Sequence, residues 1–247
     1  MTTKNQRIVS PQLFGCFCIT ELLLLVVLKL AQTFCPFTLS GAILMFSSIL
    51  INALFMLLLV SRVKKSGKDT RVTGIPLAVF TTLLADLFLV FLHDLSNAGV
   101  VHFITPLACN MIGFSIFGIV QVIYACYLGF TKRRVMIRVG FYLYFILSIT
   151  AAGLLTFDRF IACLSMSQLI LNLVYVWIEH YRKRTVASRL LAVGITLFFG
   201  CDFFIMLRML LPPQGFLYGA ICFMVWVFYI PSQILLTSSY FADRTVL

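Results

Sequence analysis

The amino-acid sequence predicts an all-α protein, a polytopic bundle of about eight transmembrane helices with both termini on the cytoplasmic side. Of the 247 residues, 62% are hydrophobic and 11% are charged, whereas soluble domains are about 45–50% apolar and about 25% charged. The apolar residues form blocks of about 20, the length that crosses the hydrocarbon core of a bilayer. The basic residues cluster between these blocks. A water-soluble fold is therefore not expected.

Eight apolar blocks predict the individual helices. No linker or low-complexity segment separates them, so residues 1–247 are treated as a single integral membrane domain. The first block is too long for the apolar core of a signal peptide and no small-residue cleavage site follows it, so we expect it to remain as an anchor. The predicted helices are 13–35, 37–61, 76–95, 104–130, 137–156, 160–179, 190–211 and 215–239.

The distribution of basic residues predicts the orientation. Of the 19 Lys and Arg residues, 16 fall at the termini or in the second, fourth and sixth loops. Because an excess of Lys and Arg marks cytoplasmic loops, this alternation requires an even number of helices with both termini inside. It also explains the net charge of +11 without a nucleic-acid partner. The 16 residues are Lys4, Arg7, Arg62, Lys64, Lys65, Lys68, Arg71, Lys132, Arg133, Arg134, Arg138, Arg182, Lys183, Arg184, Arg189 and Arg244.

Three acidic residues, Glu21, Asp86 and Asp202, fall well inside predicted helices. An ionisable side chain at the centre of a membrane helix costs about 2.5–3.5 kcal/mol on insertion scales, so each needs a partner or a function. Two carboxyl groups sharing a cavity between helices three and seven would hold one protonated acid and one ionised base, which suits acid/base catalysis or proton transport. Alternatively, Asp202 pairs with Arg208 and Asp86 bonds a neighbouring helix. For Glu21 the simpler expectation is a contact with Lys29 on roughly the same helix face.

Two glutamines and two tyrosines are further candidates for the same site. Gln121 and Gln233 carry amides that both donate and accept, so they can hold a carboxyl group or a water in place. Tyr124 and Tyr229 lie one helical turn from them and add hydroxyl groups. The alternative is that the amides join helices to one another and that the tyrosines only pack.

No metal or cofactor site is predicted. His93 and His102 lie in one outer loop and His180 lies in an inner loop, so the three cannot meet around one zinc ion. The eight cysteines are scattered through the apolar blocks without a metal-binding spacing. There is no G-x-S-x-G elbow and no phosphate-binding glycine loop, which argues against serine hydrolase chemistry and nucleotide binding.

Four short motifs over roughly residues 75–240 resemble a known family. The corresponding segments of that family are Gly-Asp-x-x-Leu, Gly-x-x-x-Phe-x-x-x-His-x-x-Tyr, Gly-Ala-x-x-Phe-x-x-Ser-Asp and Tyr-x-x-Ala-Gln. This is the YhhN and TMEM86 family of eight-helix membrane proteins, whose characterised members are lysoplasmalogenases. The matching segments here are Ala85-Asp86-Leu-Phe-Leu89, Gly113-Phe-Ser-Ile-Phe117-Gly-Ile-Val-Gln121-Val-Ile-Tyr124, Gly194-Ile-Thr-Leu-Phe198-Phe-Gly-Cys201-Asp202 and Tyr229-Ile-Pro-Ser232-Gln233.

The resemblance implies a multi-pass protein of the cell membrane that hydrolyses the vinyl ether bond of a lysoplasmalogen, a lysophospholipid, without a cofactor. The products are a fatty aldehyde and a glycerophospho-headgroup. Asp86 and Asp202 would form the acid/base pair, and its other partners would be membrane lipids. The residues expected to position substrate or water are Gln121, Tyr124, Tyr229 and Gln233.

The chain departs from the family pattern at several positions. Ala85, Gln121, Cys201 and Ser232 stand where the family has Gly, His, Ser and Ala. Replacing a titratable His by Gln121 removes one candidate proton carrier, which favours a shifted substrate or a nonenzymatic lipid-binding protein. A small proton-coupled transporter that uses the same acids is the other alternative.

Overall fold

The computed structural model describes residues 11–34, 39–65, 74–129, 131–151, 153, 156–210 and 216–245. These residues form long helices and no strand, which confirms the predicted all-α class. Seven of the helices are long and apolar enough to cross a membrane, and the first contributes a shorter apolar stretch, Gln12–Val27. The helices are α1 (Pro11–Phe34), α2 (Leu39–Lys65), α3 (Gly74–Asn97), α4 (Pro106–Tyr127), α5 (Lys132–Ala151), α6 (Phe157–Lys183), α7 (Val186–Leu210) and α8 (Phe216–Thr245).

Several helices extend beyond the apolar blocks that predicted them. Lys132, Arg133 and Arg134 were expected in a loop, but they form the first turn of α5. Likewise α6 continues to Lys183, four residues beyond its predicted end, and its last turn is basic. Long basic side chains can keep their charged ends in water while the backbone remains helical. The apolar block therefore marks the part of the helix within the hydrocarbon, and the helix itself is longer.

Helix α3 changes its geometry directly after Asp86. It is α-helical over Gly74–Asp86, π-helical over Leu87–Leu92 and α-helical again over His93–Asn97. The backbone N–H of His93 bonds to the carbonyl of Phe88, five residues earlier, as a π-helix requires. Single-turn π segments occur often at functional sites. Asp86 thus sits where a regular helix meets an irregular one, near the middle of the 24-residue span.

Helix α8 contacts four other helices. It packs against α1, α2, α3 and α7, and its contact with α7 is the most extensive helix pair in the described structure. Helix α4 packs against α3 and α6, while α5 lies at the edge against α6. Apolar side chains on α5 such as Met136 and Leu147 are exposed, as expected for a surface in contact with lipid.

Glycines allow the closest helix contacts. A Cβ on Gly113 of α4 would lie 2.4 Å from Leu89 Cγ and 3.2 Å from the Ala85 carbonyl oxygen of α3. A Cβ on Gly200 of α7 would lie 2.5 Å from a ring carbon of Phe228 on α8. Small residues let membrane helices approach closely and pack without a hydrophobic driving force. These contacts set the positions of Asp86, Cys201 and Asp202.

Candidate functional site

Asp86 and Tyr229 form the centre of the candidate site. Asp86 is only 7% exposed in the middle of α3. The Tyr229 hydroxyl on α8 donates a hydrogen bond to Asp86 Oδ2 over 2.5 Å. Hydrogen bonds from a hydroxyl to an ionised oxygen have this length, so the geometry fits a carboxylate acceptor. The bond joins two helices that belong to the predicted site.

Asp202 on α7 lies close enough to Asp86 for the two carboxyl groups to interact electrostatically. Asp202 is partly exposed, and Cys201 beside it is buried. Within the described residues no ion pair joins Asp202 to Arg208. Arg208 lies near the end of α7 and interacts electrostatically with Tyr218, near the start of α8. Of the alternative predicted from the sequence, the pairing of Asp202 with Arg208 is thus not observed among the described residues, whereas the bond of Asp86 to a neighbouring helix is, through Tyr229.

Glu21 joins the same neighbourhood from α1. Its side chain is 2% exposed, and Ser48 of α2 donates a hydrogen bond to its Oε2 atom. Glu21 also interacts electrostatically with Tyr229, the donor to Asp86. The expected contact with Lys29 involves a side chain outside the described residues. Glu21 and Asp86 therefore both interact with Tyr229, while Asp202 interacts with Asp86.

A chain of hydrogen bonds between α2 and α8 lies next to Glu21. The Asn52 amide donates to Gln233 Oε1 over 3.2 Å, and the Thr237 hydroxyl donates to Asn52 Oδ1 over 2.9 Å. All three side chains are buried. Gln233 lies one turn beyond Tyr229 on α8, with Pro231 between them interrupting the backbone ladder. Gln233, a predicted site residue, is thus adjacent to the acids.

Gln121 and Tyr124 are placed differently. Gly113 of α4 lies beside Ala85, and Gln121 is two turns further along the helix, about 12 Å. The structure therefore does not bring Gln121 beside the acids. Tyr124 is buried and, among the described residues, its hydroxyl makes no hydrogen bond.

Gln121 belongs to a second polar cluster between α4, α5 and α6. The Asn172 amide donates to the Gln121 backbone carbonyl over 2.8 Å and to its Oε1 atom over 3.1 Å. Arg138 in turn donates to Asn172 Oδ1 over 3.0 Å, and its guanidinium lies 5.0 Å from the centre of the Tyr175 ring. Arg138 is 4% exposed within α5, so it is buried in the bundle and does not lie in the basic loop with which it was grouped. This cluster joins helices, as the interhelical alternative for Gln121 supposed.

Sequence reasoning missed several polar residues of the site. Ser48 and Asn52 lie one turn apart on α2, on one helix face, and both are buried among polar partners. Thr237 bonds the same asparagine. The signal was present in the sequence as two polar residues spaced by four within an otherwise apolar block.

Comparison with protein-family models, with curated proteins and with solved structures gave no match to this chain. Membership of the family that the four motifs resemble therefore stays a prediction. The candidate site consists of three buried or partly buried acids, a tyrosine hydroxyl and an amide, contributed by α1, α3, α7 and α8.

Proposed function

We propose that the protein is a membrane-embedded hydrolase that cleaves the vinyl ether bond of a lysoplasmalogen in the cell membrane. The observation that carries the proposal is the buried Asp86–Tyr229 hydrogen bond with Asp202 in electrostatic contact. Two carboxyl groups that interact within an apolar bundle favour a state with one proton between them. Such a pair supplies both a proton donor and a base, which hydrolysis of an enol ether requires.

The hydrogen bond to Asp86 suggests which acid has which role. A donated hydrogen bond stabilises a carboxylate, and Tyr229 donates to Asp86. Asp202 receives no hydrogen bond from any side chain that the structure describes. We therefore assign Asp202 as the proton donor and Asp86 as the base.

The reaction then has three steps. The Asp202 carboxyl group transfers its proton to the β-carbon of the vinyl ether, and the resulting oxocarbenium ion is stabilised by the Asp86 carboxylate. A water molecule attacks the carbon bonded to oxygen while Asp86 takes a proton from it, as a general base does in glycoside hydrolysis. The hemiacetal then breaks its C–O bond to the glycerol: Asp86 gives its proton to the leaving oxygen and Asp202 takes the hydroxyl proton, which restores both carboxyl groups. A fatty aldehyde and the glycerophospho-headgroup are released.

The test uses two variants that preserve side-chain size, Asp86→Asn and Asp202→Asn, purified in detergent with lysoplasmalogen as substrate. Each should lower aldehyde release by about 10²–10⁴-fold, the usual contribution of a general acid or base. The matched control is Asp94→Asn, a carboxylate near the end of α3 that contacts His93, and it should retain wild-type turnover. Near-normal turnover in both test variants would overturn the assignment.

A proton-coupled transporter is the second candidate, and one observation favours it. The π-helical segment Leu87–Leu92 interrupts α3 directly after Asp86, and interrupted helices often form the binding sites of transporters. A hydrolase releases aldehyde in detergent, whereas transport requires a sealed membrane. Proton uptake by sealed vesicles without any aldehyde release in detergent would favour the transporter.

A further inference from the structure

Two buried polar atoms near the acids have no hydrogen-bond partner among the residues that the structure describes. They are Glu21 Oε1, an acceptor on α1, and Gln233 Nε2, a donor on α8. The two residues are 2% and 5% exposed, so bulk solvent does not satisfy these atoms. Native proteins pair nearly all buried polar atoms, and each exception calls for an explanation.

The two atoms belong to neighbouring side chains. Ser48 donates to the other oxygen of Glu21, and Asn52, one turn further along α2, donates to the carbonyl oxygen of Gln233. Residues four apart on a helix have Cβ atoms about 5–6 Å apart. Helix α2 therefore holds Glu21 and Gln233 at successive turns of one helix face. Gln233 also lies one turn beyond Tyr229, which bonds Asp86 and lies within electrostatic range of Glu21.

The chemistry of the pair selects one kind of group. A carboxylate oxygen accepts a hydrogen bond and an amide nitrogen donates one, so a single group that pairs with both atoms has to donate to Glu21 and accept from Gln233. A hydroxyl does both. An ester or ether oxygen could accept from Gln233 but would leave Glu21 unpaired, and an ammonium group would leave Gln233 unpaired.

We propose that Glu21 and Gln233 bind a hydroxyl group of the ligand next to the acid pair. This inference rests on the proposed function and deepens it. In a lysoplasmalogen the free hydroxyl on the middle glycerol carbon is the neighbour of the reacting vinyl ether. In a diacyl plasmalogen an ester replaces that hydroxyl and cannot donate. The pair would therefore restrict the enzyme to lyso substrates, since a site built for a hydroxyl disfavours ligands that lack it.

A bound water could meet the same two atoms, so the experiment must separate a ligand hydroxyl from water. Two lysophospholipids with a saturated ether in place of the vinyl ether serve as probes, because hydrolysis cannot consume them. One carries the hydroxyl on the middle glycerol carbon and the other carries hydrogen there. Binding of each is measured to the purified full-length protein in nanodiscs, and aldehyde release from lysoplasmalogen is measured separately.

We expect the wild-type protein to bind the hydroxyl probe about 10- to 100-fold more tightly than the deoxy probe. Glu21→Met and Gln233→Met should each reduce this ratio to about threefold or less, because methionine keeps an unbranched shape without the hydrogen bond. Glu21→Gln tests the acceptor more conservatively and should also lower the ratio. The control is Gln168→Met, another buried glutamine with an unpaired oxygen atom, on α6, and it should keep the wild-type ratio. Melting temperatures establish that each variant is folded.

Equal binding of the two probes by the wild-type protein would overturn the proposal and indicate a water site. So would a wild-type ratio in both Glu21→Met and Gln233→Met, or the absence of binding by either probe. Selective binding without aldehyde release has a different meaning. In that case the hydroxyl site would stand and the hydrolase proposal would fail, since the probes report binding independently of turnover.

Discussion

Tyr229 links the helices of the candidate site through one hydroxyl group. It donates to Asp86 across the α3–α8 contact, and it interacts electrostatically with both Glu21 and Asp86. Without this donor, the buried carboxyl group of Asp86 would have no hydrogen bond to offset its lost hydration. At the level of single residues, this hydroxyl is therefore expected to contribute both to the stability of the fold and to the protonation state of Asp86.

Tyr229→Phe should lower the free energy of unfolding by about 1.5–3 kcal/mol, the usual range for a hydrogen bond to a charged group. Tyr124→Phe offers a matched comparison, because Tyr124 is equally buried and its hydroxyl makes no hydrogen bond to a described residue. Its unfolding should change by less than about 1 kcal/mol. Thermal melting in one detergent measures both variants, and equal losses would show that the Asp86 bond adds no stability.

At the level of helices, close packing of α7 on α8 positions Asp202. Gly200, two residues before Asp202, faces the ring of Phe228, which directly precedes Tyr229. Gly194 faces Leu236 in the same way, with a Cβ position 3.0 Å from its nearest side-chain atom. Two small residues on one helix thus bring the helices of Asp202 and Tyr229 together.

Gly200→Ala should push α7 away from α8, since the added carbon would lie 2.5 Å from a rigid ring. We expect a loss of about 1–3 kcal/mol, typical of overpacking, and weaker aldehyde release because Asp202 shifts relative to Asp86. Gly140→Ala on α5 is the control, as nothing lies within 4 Å of its Cβ position. It should be neutral or stabilising by about 0.5–1 kcal/mol. A Gly200→Ala variant as stable as Gly140→Ala would contradict this account of the packing.

At the level of the whole molecule, the polar residues of the predicted site that the structure describes divide between two separate clusters, apart from Tyr124. Acids, amides and hydroxyls of α1, α2, α3, α7 and α8 form one cluster, and Arg138, Asn172 and Gln121 form the other. The long α7–α8 contact supports the first, whereas the peripheral α5 completes the second. The proposed catalysis and the attachment of α5 are therefore expected to depend on different residues.

The orientation of the bundle is a prediction at the same scale. A reporter active only outside the cytoplasm should give no signal when fused after Leu247, because the positive-inside rule places both termini inside. The same reporter fused after Val101, in the segment between α3 and α4, should be active. A strong signal from the fusion at Leu247 would contradict an even number of membrane crossings.

The sequence by itself determined the class of the protein and the approximate position of each helix. Apolar block length and the basic clusters are local properties of the chain, and the bilayer imposes its thickness on every span. The same reasoning identified Glu21, Asp86 and Asp202, since each is costly in hydrocarbon wherever it points. Helix ends were less well predicted, as at Lys132, because basic side chains let helices continue past the apolar block.

Only the tertiary structure decided which polar groups meet. The spans are apolar on nearly every face, so their sequence gives little indication of which side of a helix faces a neighbour. Rotation and depth are set by contacts between helices far apart in the chain, such as Gly113 against Leu89. Those contacts brought Tyr229 to Asp86 and left Gln121 with Asn172. The physical reason is that insertion is a property of each segment, whereas pairing of buried side chains is a property of the packed bundle.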